Sequence, residues 1–110
     1  MASTYKVLAQ AAPSATTEST LYTVPSGYSA VVSTIAVANQ AGSSGTYRIA
    51  VRPAADASTT QKHWIVYGAT VAASDSIMLT LGLTLAAGDL IRIFASSADM
   101  SFSVFGSEIN

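Results

Sequence analysis

Apolar and polar residues alternate with period two along much of this chain, the signature of strands with one buried face. In "TYRIAVRP", Tyr47, Ile49 and Val51 point one way and Arg48, Ala50 and Arg52 the other, until Pro53, which lacks an N–H, ends the run. "YSAVVSTIAVAN" reads as a long strand with Val31, Ser33, Ile35 and Val37 on one face and Val32, Thr34, Ala36 and Ala38 on the other. "QKHWIVYG" puts Trp64 and Val66 opposite His63, Ile65 and Tyr67. In "DSIMLTL", Ile77, Leu79 and Leu81 share a face. "LIRIFAS" turns Ile91 and Ile93 inward and Arg92 outward, and "MSFSVFGSE" turns Phe102 and Val104 inward and Ser101 and Ser103 outward.

Turn residues separate these runs. Val24-Pro25-Ser26-Gly27 is a corner with Pro25 in the second position, and Ala86-Ala87-Gly88-Asp89 echoes it. "QAGSSG" is a hairpin tip and "AADASTT" a surface loop. No 3.6-residue period holds for three turns. The pattern predicts an all-β fold: a single antiparallel β-sandwich, jelly-roll-like, of seven to eight strands. "TYKVLA" can pair as a strand, but "QAAPSATTES" reads as a linker broken by Pro13. Residues 1–20 are therefore expected to form an N-terminal arm or linker, and residues 21–110 the sandwich domain.

Composition narrows the function. Only 10% of residues are charged, against a usual ~25%. Surface covered by other subunits explains this, and so does a surface of Ser and Thr hydroxyls. The net charge of −1, with Lys6, Arg48, Arg52, Lys62 and Arg92 dispersed, argues against nucleic-acid binding. Cysteine is absent, so disulfides and thiolate sites are excluded. No apolar stretch approaches the ~18 residues of a membrane helix, and "MASTYKVLAQ" lacks the regions of a signal peptide. Synthesis in a cytoplasm is expected, without a membrane partner.

Candidate chemistry is sparse. His63 is the one histidine, and no nucleophile elbow accompanies it; it is expected to face outward on a strand beside Trp64. The six acids fall mostly at turns, where Asp ordinarily caps, and no spacing selects a catalytic or calcium-binding set. No phosphate-binding Gly loop is present, since "QAGSSG" lacks the following Lys and helix. No enzyme activity, cofactor or metal is expected. Tyr22, Tyr28, Tyr47, Trp64, Tyr67, Phe94 and Phe105 suit a core, an interface or a sugar platform, with the structural roles favoured. Arg48 and Arg52 share a face and suit acids of a neighbouring chain. The candidate interface residues are thus Tyr5, Arg48, Arg52, His63, Trp64 and Tyr67.

"LYTVPSGYSAVVSTIAVAN", "TYRIAVRP", "KHWIVYGATVAASDSIMLTLGLTLAAGDLIRIFAS" and the terminal "MSFSVFGSEI" together resemble small all-β virion proteins of tailed bacteriophages. The resemblance runs from Leu21 to Ile109 and contains no catalytic residue. It implies a capsid decoration (cement) protein on the capsid surface. The implied partners are the major capsid protein and further copies of the chain, with a homotrimer favoured. The alternatives are a tail, baseplate or fibre adaptor contacting tail proteins and, from the exposed aromatics, a carbohydrate-binding sandwich.

Overall fold

A computed structural model describes residues 2–110. It contains β1 (Ser3–Ala11), β2 (Ser19–Thr23), β3 (Ser29–Asn39), β4 (Gly45–Arg52), β5 (Trp64–Val71), β6 (Ser76–Leu85), β7 (Leu90–Ala95) and β8 (Met100–Ile109). A short 3₁₀ turn, Gln61–His63, precedes β5. The strands form two four-stranded antiparallel sheets, ordered β1-β8-β3-β6 and β2-β7-β4-β5. The fold is all-β and sandwich-like, as the alternation predicts. The arm or linker expected over residues 1–20 is largely sheet: β1 pairs with β8 along its length, and β2 begins at Ser19.

The core lies between the sheets. Val32, Ile35, Val37, Phe102 and Val104 face Tyr47, Ile49, Ile91 and Ile93, all essentially buried. Each such side chain is worth about 1.5–3 kcal/mol on burial. Tyr47 and Phe102 meet edge to face across the sandwich, with centroids 6.3 Å apart. Ile77, Leu79 and Leu81 pack against this core from one edge strand.

The sequence pattern fails where strands bulge. In β3, Val32 lies opposite Gly106 and Thr34 opposite Phe105, so Ser33 is an extra residue. An extra residue reverses which side chains face the core. Ala30 and Val32 are buried before the bulge, Ile35 and Val37 after it. Val31, expected to share a face with Ile35 and Val37, is instead exposed while they are buried. In β1, Leu8 is likewise extra, between Val7 opposite Phe105 and Ala9 opposite Val104. Both irregularities lie beside Gly106, whose backbone runs so close to Val31 that a β-carbon there would lie 2.1 Å from the Val31 carbonyl oxygen.

The first corner differs from expectation by one residue, and the second falls at Ala86–Asp89 as expected. Tyr28 N donates to Pro25 O, which puts Gly27, at φ +82°, in the third position of the turn. That position of a type II turn requires positive φ. Asp89 N donates to Ala86 O in the same way, with Gly88 at φ +85°. The corners bond to each other: Val24 N to Asp89 O at 3.0 Å and Gly88 N to Val24 O at 3.0 Å.

One carboxylate is buried between the sheets. Glu108 of β8 accepts a 2.6 Å hydrogen bond from the Tyr22 hydroxyl of β2 and a 2.7 Å ion pair from Lys6 of β1. These donors hold the Glu108 carboxyl below its ordinary value of 4.5, against the upward pull of burial. Burial, and then the bond to Glu108 and its charge, push the Tyr22 phenol up. The cluster ties the edge strand β1 to β8 and β8 to the opposite sheet.

Two outcomes are expected. Gly106→Ala should cost at least about 1–3 kcal/mol in denaturant unfolding, because the β-carbon has no room. Gly42→Ala, with nothing within 4 Å of the new carbon, should stay within about 0.5 kcal/mol of the parent. The second concerns pH. A carboxyl with a depressed folded pKa binds more protons when unfolded, so its stabilisation is present above 4.5 and is lost as pH falls through the folded value. Glu108→Gln should lower stability at neutral pH by roughly 1–3 kcal/mol and flatten the acid limb of a melting-temperature profile measured from pH 7 downward.

Candidate functional site

The outward face of the β2-β7-β4-β5 sheet gathers Trp64, Tyr67 and Phe94 and most of the chain's paired charges. Arg48 of β4 lies opposite Phe94 of β7 and Tyr67 of β5. Its guanidinium carbon stands 4.1 Å from the Tyr67 ring centroid and 4.3 Å from that of Phe94. Cations favour the electron-rich faces of such rings. Trp64 meets Tyr67 edge to face, with centroids 5.6 Å apart.

Two bulges in β5 create this grouping. Ala50 pairs with Trp64 and Ile49 with Val66, leaving Ile65 extra. Arg48 pairs with Tyr67 and Tyr47 with Ala69, leaving Gly68 extra at φ +80°. Strict alternation puts Trp64 and Tyr67 on opposite faces. The bulge at Ile65 puts both on the outer face and leaves Val66 against the core. Ala50, expected outward, does face away from the core but is fully buried.

Residues 53–63 fold over the same sheet and are held by polar bonds. His63 is buried in the 3₁₀ turn and does not face outward on a strand as expected. Its Nδ1 accepts from the Thr60 backbone N–H at 2.8 Å, so the ring proton sits on Nε2, which lies 2.7 Å from Asp56 Oδ2. The imidazole therefore has no free nitrogen with which to activate the Thr60 hydroxyl. It fixes a loop. The bond from His63 chiefly holds the Asp56 carboxyl below its ordinary value, with the charge of Lys62 also contributing. Nearby, Glu18 accepts from Thr59 Oγ1 and Arg92 Nε, both at 2.7 Å, and Arg52 donates to Thr59. Burial pushes the Glu18 carboxyl up, but the bonds from Thr59 and Arg92 and the charges of Arg92 and Arg52 bring it below its ordinary value. Thr59, Thr60, Gln61, Trp64 and Tyr67 line a depression of about 550 Å³ between this loop and β5.

Five of the six candidate interface residues, Arg48, Arg52, His63, Trp64 and Tyr67, thus lie on or beneath one face. Tyr5 lies on the outer face of the other sheet, opposite Ser107, and is the most exposed large apolar residue described. Of the other aromatics, Tyr22 and Tyr47 are core residues. The bonds that join Glu18, Thr59 and Asp56 to this face span 7 to 74 positions of sequence, which no local motif reveals.

That second outer face, on β1-β8-β3-β6, has a different chemistry. Its outward residues include Tyr5 and Val7 on β1; Ser101, Ser103, Phe105 and Ser107 on β8; Val31, Thr34, Ala36 and Ala38 on β3; and Ser76, Met78, Thr80 and Thr84 on β6. None is charged. Tyr5, Val7, Val31 and Met78 are all exposed.

Among the described residues, no group of three or more His, Cys, Asp or Glu side chains is placed to hold a metal ion. Among the same residues no helix is long and apolar enough to cross a membrane. Comparison with protein-family models and with curated proteins found no match to this chain.

His63→Ala removes two of the bonds that hold the 53–63 loop, those to the Thr60 amide and to Asp56. It should lower stability by about 1–3 kcal/mol and speed hydrogen exchange at the Thr60 amide. Amides of β3 and β8 should keep their protection relative to the new global stability.

Proposed function

We propose that this chain is a non-enzymatic virion structural subunit, a capsid decoration protein of a tailed bacteriophage. In this reading it assembles as a homotrimer and bridges major capsid protein subunits on the capsid surface. The carrying observation is the uncharged outer face of β1-β8-β3-β6. The chain's eleven charged side chains lie elsewhere: at the Lys6–Glu108 cluster, on the opposite sheet and its covering loop, and in the turns holding Asp75, Asp89 and Asp99. A face of Ser, Thr, Ala and exposed apolar residues packs against another protein surface without desolvating a charge. Two copies of it meet without like-charge repulsion.

The strand order supports the same reading. The first strand pairs with the eighth, the second with the seventh, the third with the sixth and the fourth with the fifth. We read this pairing as one long antiparallel ribbon rolled into two sheets, in the manner of a jelly roll, an architecture used by viral capsid domains. The resemblance over Leu21–Ile109 adds the phage context. The subunit acts by linkage: binding only the assembled shell stabilises it against expansion.

Co-sedimentation with empty, expanded capsids, combined with light scattering of the free protein, tests this reading. The wild type should run as an oligomer and pellet with capsids. Met78→Asp, an exposed substitution that should leave the melting temperature nearly unchanged, should weaken capsid binding at least about tenfold by burying an unpaired charge. A monomer that ignores capsids and binds isolated tails would sink the idea, as would a Met78→Asp protein that binds like wild type.

A further inference from the structure

The depression between the 53–63 loop and β5 has a composition that points to a ligand. One wall is aromatic: Trp64 and Tyr67 stand in a fixed edge-to-face arrangement, with Tyr67 64% exposed. The other wall is polar: Thr59, Thr60 and Gln61 bring hydroxyls and a side-chain amide. Its size falls within the few hundred to about 1,000 Å³ of small-molecule sites, and it holds one or two six-membered rings.

The walls are organised before any ligand arrives. Arg48 is held between Tyr67 and Phe94 and supports the Tyr67 ring. Thr59 is held by Glu18 and Arg52, and Thr60 by His63. A site whose side chains are already fixed loses little conformational entropy on binding.

A pyranose ring matches these two walls. Its C–H face is apolar and slightly positive and suits the negative face of an aromatic ring. Its hydroxyls suit threonine and glutamine. The surrounding charge selects further. Arg48, Arg52, Lys62 and Arg92 stand around the site against two carboxylates, Glu18 and Asp56. Lys62 and Arg92 are ion-paired, whereas Arg48 has no carboxylate within ion-pair distance among the described residues. On this side of the molecule the four cations outnumber the two carboxylates, although the chain as a whole carries a net charge of −1. A nucleic-acid strand needs a continuous basic groove that tracks its backbone, and a single shallow depression does not provide one.

We infer that the Trp64–Tyr67 depression is a binding site for an acidic saccharide, a uronic-acid type of sugar whose ring lies against the aromatics and whose carboxylate faces the Arg48 side. The site lies on the sheet opposite the uncharged face, so binding there is independent of assembly through that face.

Trp64 is the chain's one tryptophan, which makes intrinsic fluorescence a direct reporter. Oligogalacturonate should change its emission saturably, and maltooligosaccharides of the same length should bind at least about fivefold more weakly, the effect of one partly screened charge. Tyr67→Ala retains the reporter, substitutes an exposed side chain and should weaken oligogalacturonate binding roughly tenfold. Arg48→Gln should remove the preference for the acidic sugar while leaving the weak neutral binding. An unchanged emission at millimolar oligogalacturonate overturns the inference. So does an equal response to polyglutamate or to oligothymidylate, since either would mean attraction of any polyanion. Equal affinity of wild type and Tyr67→Ala would likewise overturn it.

Discussion

Strand parity against a shared core is the constraint on which the rest of this structure depends. Two sheets bury one face each, and every residue added or removed within a strand exchanges its two faces. The chain meets this constraint with extra residues at Leu8, Leu21, Ser33, Ile65 and Gly68. Ser33 lets β3 present Ala30 and Val32 to the core on one side of the bulge and Ile35 and Val37 on the other. Ile65 does the same for β5, and its by-product is the site: Trp64 and Tyr67 become outer-face neighbours while Val66 stays inside. Core packing and surface chemistry are therefore set by the same insertions. Deleting one would not simply shorten a strand but would turn its remaining half inside out.

A second economy follows from how few charges the chain has. Several of them tie elements distant in sequence. Lys6 and Glu108 join the first and last strands, and Tyr22 connects that pair to the other sheet. Glu18 and Arg92 fasten the start of β2 to β7, and Asp56 with His63 locks the loop that covers β4. The carboxylates in these ties are held in their ionised form by donors, and their contribution is therefore electrostatic and sensitive to acid. Charges committed to such ties are unavailable to solvate a broad surface. The β1-β8-β3-β6 face is left with hydroxyls, small residues and scattered apolar side chains.

Much of the sandwich was legible from alternation alone. Phe102, Val104, Ile91, Ile93, Tyr47 and Ile49 are inward where period two puts them, because their strand segments run between bulges without interruption. Legibility ended where parity changed: no residue type announces Ser33 or Ile65 as an extra residue. The turn at Pro25–Tyr28 was recognisable from Pro and Gly, but its register depended on Gly27 occupying the position that needs positive φ. Residues 3–11 looked separable because Pro13 and small polar residues follow them, yet β1 finds its partner nearly a hundred residues away in β8. His63 was misplaced for a related reason: the 3₁₀ turn that buries it is stabilised by Asp56 and the Thr60 amide, not by a local helical period. The site grouping was the least legible part, since it joins five separate segments through bulged register.

The two outer faces differ because the chain reverses between sheets at nearly every connection. β4–β5 is the one link between sequence neighbours within a sheet; the other connections cross the sandwich. The loop 53–63 belongs to that single hairpin, which makes it the one long connection lying over a sheet rather than across an end. It brings Thr59, Thr60 and Gln61 over strands already carrying Arg48 and the aromatics. No corresponding hairpin exists in β1-β8-β3-β6, and its outer face is not overlain by a loop of this kind. An uncharged face suits extended contact with another protein, whereas a face overlain by a polar loop offers a polar-walled concavity suited to a small ligand. Because the two lie on opposite sides of one thin sandwich, occupying the first would orient the second outward.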